Sequence, residues 1–135
     1  AHLANRRPEL PIAGALLVAP ADVDAQAARA PALASFAPIP TAPMGFPAIV
    51  VGSRNDPWMP AARARILARM WEAEYVDAGH VGHINAAADL GTWPEGQKLL
   101  ARLTAVARGR SLALGSGFCG SASRKRIFPV AAIAN

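Results

Sequence analysis

Two polar residues fall where apolar runs stop. Asp56 lies in Ser53-Arg54-Asn55-Asp56-Pro57, just after the run Ala48 to Val51, and His83 lies in Gly79-His80-Val81-Gly82-His83-Ile84-Asn85, after the weaker run Ala73 to Ala78. A carboxylate beside an imidazole is the pair that nucleophilic catalysis uses. The acid holds the ring in one tautomer, and the ring takes and returns a proton. Each residue also has a structural reading. An Asp before Pro accepts backbone N–H bonds as a cap or turn residue. A histidine after Gly82 can be a satisfied loop residue, and His80, three positions earlier, competes with it for a catalytic role. Taken together, at the ends of successive apolar runs, Asp56 and His83 favour the catalytic reading.

The elements around them set that geometry. Pro11 to Pro20 encloses the run Ile12 to Ala19, and Pro47 opens Ala48 to Gly52; neither alternates with polar residues, as expected of strands buried on both faces of a parallel sheet. Between the second and third runs, Met59, Ala62, Ile66 and Met70 recur at helical spacing, widened by Leu67 and Trp71, with Arg63, Arg65 and Arg69 at other positions. This stripe predicts a core-facing helix that starts near residue 60, because Pro57 and Pro60 are tolerated only at its beginning. Thr92 to Glu95 reads as a capping box ahead of Leu99, Leu100, Leu103, Val106 and Ala107, with Gly109 as the stop. Trp93 reads as core. The segment Ala21 to Met44, rich in Ala and Pro, predicts at most a short helix over Ala25 to Arg29. Strand, crossover, strand, helix, strand, helix is an α/β order, a parallel sheet with flanking helices. Sites in such sheets form beyond the carboxyl ends of the strands, which brings Asp56 and His83 to one edge.

Acid before histidine is the chain order of the α/β-hydrolases, in which a nucleophilic serine comes first. The 135 residues contain no G-x-S-x-G elbow; Gly115-Ser116-Gly117 and Gly120-Ser121 follow the histidine and lack the spacing. The chain nevertheless resembles a known family. The residues that carry the resemblance are Gly14 to Pro20, Phe36-x-Pro38-Ile39-Pro40, Phe46-Pro47, Ser53 to Pro57, Asp77-Ala78-Gly79-x-x-Gly82-His83-Ile84-Asn85 and Leu90-Gly91-x-Trp93-Pro94-Glu95-Gly96. Together they look like the small serine hydrolases of the α/β-hydrolase superfamily typified by the retinoblastoma-binding protein nine and YdeN-like group, over residues 1 to about 107. The resemblance implies a partial α/β-hydrolase fold, with Asp56 as triad acid and His83 as triad base. It also implies that Ala1 to Ala4 correspond to the helix after the nucleophile elbow, so that the serine precedes residue 1. The residues as they stand would then be the C-terminal part of a serine esterase or acyl hydrolase, inactive alone. No metal or organic cofactor is implied.

Composition bounds the rest. A chain of 135 residues with 53% hydrophobic and 17% charged residues is one globular domain at most and no disordered polymer. No apolar run approaches the roughly 20 residues that span a bilayer. Cys119 stands alone, which excludes an internal disulfide and points to a reducing compartment, the cytoplasm by default. Charge divides the chain: residues 1–95 carry seven Arg against nine Asp and Glu, whereas residues 96–135 carry seven Lys and Arg and no acid. The expected division is a hydrolase part over 1–107 and a basic tail over 108–135. Arg124-Lys125-Arg126 without an aromatic platform reads as a solvated terminus rather than a nucleic-acid surface, although Ile127, Phe128, Val130 and Ile133 could instead close the core. The expected partner is a small-molecule ester or acyl substrate, and an uncovered sheet edge would invite oligomerisation. The rival reading is a non-catalytic remnant of the hydrolase scaffold whose basic tail engages acidic partners.

Overall fold

The computed structural model describes residues 6, 7, 9–28, 30–115 and 130–133. The apolar runs become strands: β1 (Gly14–Val18) and β2 (Ala48–Gly52) are buried at every residue. β3 (Glu74–Asp77), whose run is broken by acids, is only half-buried. A further strand, β4 (Val130–Ile133), joins them. All pair in parallel in the order β3-β2-β1-β4. β1 therefore has a neighbour on each side, and β3 and β4 are the outer strands of the described sheet. Three helices lie in the connections: α1 (Val23–Gln26), α2 (Ala61–Met70) and α3 (Pro94–Gly115).

Successive side chains of a strand point to opposite faces, so each buried strand feeds two layers. Ala15, Leu17, Ala48 and Val50 pack against Ala64, Leu67, Ala68 and Trp71 on the α2 side. Leu16, Val18, Ile49 and Val51 pack with Leu103 of α3, flanked by Leu99 and Leu100, on the other. This is a partial α/β fold with helices on both faces of a parallel sheet.

Helix α2 buries Leu67 and Trp71 of the expected stripe but turns Ala62, Ile66 and Met70 outward. Ile66 is 43% and Met70 40% exposed, and Ala62 is exposed as well. The covered face is Ala64, Leu67, Ala68 and Trp71. Both sets are spaced by threes and fours, but at about 100° per residue they lie on opposite sides of the helix. The two alanines leave room for a close approach to the sheet. Trp71 closes the helix with its indole N–H donating to the Pro40 carbonyl at 2.6 Å. Met59 is buried too, but from the loop ahead of the helix.

Two helix boundaries also differ from expectation. α1 forms at Val23–Gln26, slightly earlier than Ala25 to Arg29. α3 starts at Pro94 and runs through Gly109 to Gly115. Glycine inside a helix costs only about 1 kcal/mol relative to alanine, which the apolar face of a long helix offsets. The capping box does not form: Gln97 Nε2 donates to the Thr92 carbonyl at 2.8 Å, while the Thr92 hydroxyl makes no hydrogen bond among the described residues. Proline at the first helical position makes one missing N–H harmless. The helix crosses residue 107 without a break, and β4 pairs with β1. Ala1 to Ala4, Cys119, Arg124 to Arg126, Ile127 and Phe128 lie outside the described residues.

A close approach locks the end of β2. A Cβ on Gly52 would come within 2.7 Å of the Tyr75 hydroxyl on β3, and that hydroxyl is buried with no hydrogen-bond partner among the described residues. The Arg65 guanidinium stands 5.0 Å from the centre of the Tyr75 ring.

Leu67→Ala should cost about 2–5 kcal/mol of unfolding free energy, as a large-to-small change in a packed core does. Ile66→Ala, on the exposed face, should stay within about 0.5 kcal/mol. Urea denaturation of the two variants checks this, and equal losses would return Ile66 to the core.

Candidate active site

β2 and β3 are parallel neighbours in register, with Gly52 opposite Asp77, so the chain leaves both on the same edge of the sheet. The two exit loops are stitched together. Arg54 N–H donates to the Gly79 carbonyl at 2.7 Å. The Ser53 hydroxyl, 1% exposed, accepts from Val81 N–H at 3.1 Å and lies 3.2 Å from the Gly79 carbonyl and 2.8 Å from Asn55 Oδ1. Asn55 Oδ1 in turn accepts from Gly82 N–H at 2.9 Å. Gly82 has φ +65°, in the left-handed region that favours glycine, and there the chain turns to deliver His83.

Asp56 and His83 meet across this seam. His83 Nδ1 lies 3.0 Å from Asp56 Oδ1 and 2.9 Å from Oδ2. A carboxylate only accepts, so Nδ1 donates, and Nε2 is left with the lone pair. Trp58 N–H also donates to Asp56 Oδ1, at 2.8 Å. The Asp56 side chain is 1% exposed and the His83 side chain 11%. A buried carboxylate needs such donors to offset its lost hydration. The Trp58 ring, half out in solvent, stands 6.0 Å from the His83 ring, tilted by 39°. Its carbonyl accepts from Asp22 N–H at 2.9 Å, tying in the loop that follows β1. The arrangement can pass a proton through Nε2 while the imidazolium that forms is held by Asp56.

Asp77 braces the seam from below. Its carboxylate accepts from Gly79 N–H at 2.9 Å, from Arg54 Nε at 3.0 Å and from Arg65 Nη2 at 2.9 Å. The Gly79 amide, then the Arg54 guanidinium, hold its pKa below the ordinary 3.8. His80 is exposed, and among the described residues the Asp56 carboxylate bonds to His83 and Trp58, not to His80. It shares with His83 and Asn85 a shallow cleft of about 350 Å³. Ser53, Asn55 and Trp58 were not singled out in the sequence as site residues. For Ser53 and Asn55 the signal was present in the Ser-x-Asn-Asp run, where three short polar residues at a strand exit have backbone amides to bind; Trp58 acts through its backbone N–H, which no side-chain pattern marks. Among the described residues no group of three His, Cys, Asp or Glu side chains could hold a metal ion, and no helix is long and apolar enough to cross a membrane.

A parallel sheet with helices on both faces is a frame that hydrolases use, and comparison with known proteins agrees with that fold. Residues 1–102 match the family model described as Serine hydrolase. The chain belongs to that family of small serine hydrolases. It is similar in structure to a YdeN-like hydrolase from Pectobacterium atrosepticum, with 38% identity and a TM-score of 0.60, over 71% of this chain and 48% of that one. The chain thus spans about half the length of that relative. No curated protein matches it.

Two outcomes follow from the seam. Ser53→Ala, which strands the Val81 N–H, should cost about 1–3 kcal/mol of stability; a loss no larger than that of a surface serine in urea denaturation would show the hydroxyl to be dispensable. Because the Asp77 pKa is depressed in the folded state, its stabilisation is present above the unfolded value near 3.8 and is lost as pH falls below it. Asp77→Asn should therefore flatten the acid limb of the stability profile below about pH 4, measured by thermal unfolding from neutral pH downward.

Proposed function

We propose that this chain carries the acid and base of a serine-dependent acyl hydrolase acting on a small-molecule ester. The reading rests on one observation, the buried Asp56 carboxylate on His83 Nδ1 at the carboxyl edge of a sheet in a chain of the serine hydrolase family. The nucleophile is a serine supplied from outside the described residues. His83 Nε2 takes its proton as the serine oxygen attacks the acyl carbon, and Asp56 stabilises the resulting imidazolium. The same proton passes to the leaving alcohol. A water molecule then repeats the cycle on the acyl-enzyme, with Nε2 again as base, and releases the acid. The single Cys119 favours a reducing compartment for this chemistry, the cytoplasm.

In the full-length polypeptide, Asp56→Asn should lower kcat/KM on p-nitrophenyl esters by about 10⁴-fold and His83→Ala by about 10⁶-fold, as loss of the triad acid and base does. Circular dichroism should stay unchanged. His80→Ala should retain activity within a few-fold. Equal losses at His80 and His83 would remove His83 from its role as base, and full activity in Asp56→Asn would overturn the reading as a whole.

A further inference from the structure

Beside the catalytic pair lies a second cleft, of about 360 Å³, at the end of β1. Its apolar lining includes Val18, Ile84, Leu90 and Trp93, and its polar lining is Asn85 and Asp89. The volume is at the small end of the range for small-molecule sites, about 300–1,000 Å³. It adjoins the pair through the chain itself: Ile84 follows His83, and Asn85 lines both this cleft and the one that holds His83.

The backbone here is held in an uncommon shape. Of the five non-glycine residues with left-handed φ among the described residues, three line this cleft: Ile84 at +48°, Asp89 at +46° and Trp93 at +42°. Such conformations persist only where the surroundings impose them, and they gather at ligand sites. Trp93 lies against the first turn of α3, over Gly96, where a Cβ would overlap its ring. Asn85 Oδ1 accepts from Ala87 N–H at 3.1 Å, which leaves its carboxamide N–H groups free to donate to a polar atom of a ligand. Asp89 is exposed and repels a carboxylate.

We propose that this cleft binds the apolar acyl group of an uncharged substrate, an aliphatic chain of several carbons seated between Leu90 and Trp93 with its carbonyl toward Asn85. The proposal rests on the reading of Asp56 and His83 as a hydrolytic pair, but its test does not need turnover. Acetamide, butanamide and hexanamide are titrated into the ¹⁵N-labelled full chain, and the Trp93 indole and the Ile84 and Leu90 amides are followed by NMR. Affinity should rise about fourfold for each added methylene, the usual gain for burying one. The same series should hold in His83→Ala. It should flatten in Leu90→Trp, which fills the cleft, and in Gly96→Ala, which displaces the Trp93 ring while favouring the helix. Equal affinity along the series, or shifts confined to residues away from the cleft, overturns the acyl site. Chain-length-dependent binding, where the full-length polypeptide hydrolyses no ester, leaves the cleft standing and removes the hydrolytic reading instead.

Discussion

One buried hydroxyl ties together the two loops that matter. Loops leaving neighbouring parallel strands run side by side, and here the backbone bonds from Ala78 N–H to Gly52 and from Arg54 N–H to Gly79 carry the ladder only one step past the last paired residues. Ser53 takes the link further, bridging to Gly79 and Val81, and Asn55 extends it to Gly82. Asp56 and His83 are the next residues on each side of this seam. Their approach to hydrogen-bonding distance is thus prepared by polar side chains that make no hydrogen bond to Asp56 or His83 themselves. Such support lets an acid and a base be placed on loops without the looseness that loops ordinarily bring.

The charges below the seam act in the same direction. Asp77 ends β3 and gathers Arg54 from the loop after β2 and Arg65 from α2, so one carboxylate joins a strand, a loop and a helix. Elsewhere Arg102 of α3 meets Glu74 through two bonds of 2.6 and 2.8 Å, and Arg63 of α2 pairs with Asp24 of α1. These pairs are solvent-facing and individually weak. Their placement matters more than their strength, since each joins elements distant in sequence around the outermost strand β3 or the long crossover between β1 and β2.

The parts of this architecture written in residue type alone were readable before the structure. Unbroken apolar runs at β1 and β2 identify strands covered on both faces, and the strand exits identify where Asp56 and His83 must emerge. What resisted reading was decided by size and by long-range bonding. Ile66 and Met70 outrank Ala64 and Ala68 on any hydropathy scale, yet the smaller pair faces the sheet because close approach rewards small residues. Gly109 carries a stop signal that a long apolar helix overrides. The role of Ser53 depends on Gly79 and Val81, whose proximity no local pattern in the sequence encodes. The joining of Val130–Ile133 to β1 likewise became visible only in the pairing of the sheet.

The Tyr75 side chain reaches diagonally from β3 across to Gly52 on β2, with no room for even a methyl group between them. The buried phenol hydroxyl there has no hydrogen-bond partner among the described residues, and the ring packs beside the Arg65 guanidinium. A side chain at 52 therefore requires the Tyr75 ring to move or to give way to a smaller residue, at the strand end from which Asp56 is launched, whereas position 75 can shrink with Gly52 still in place.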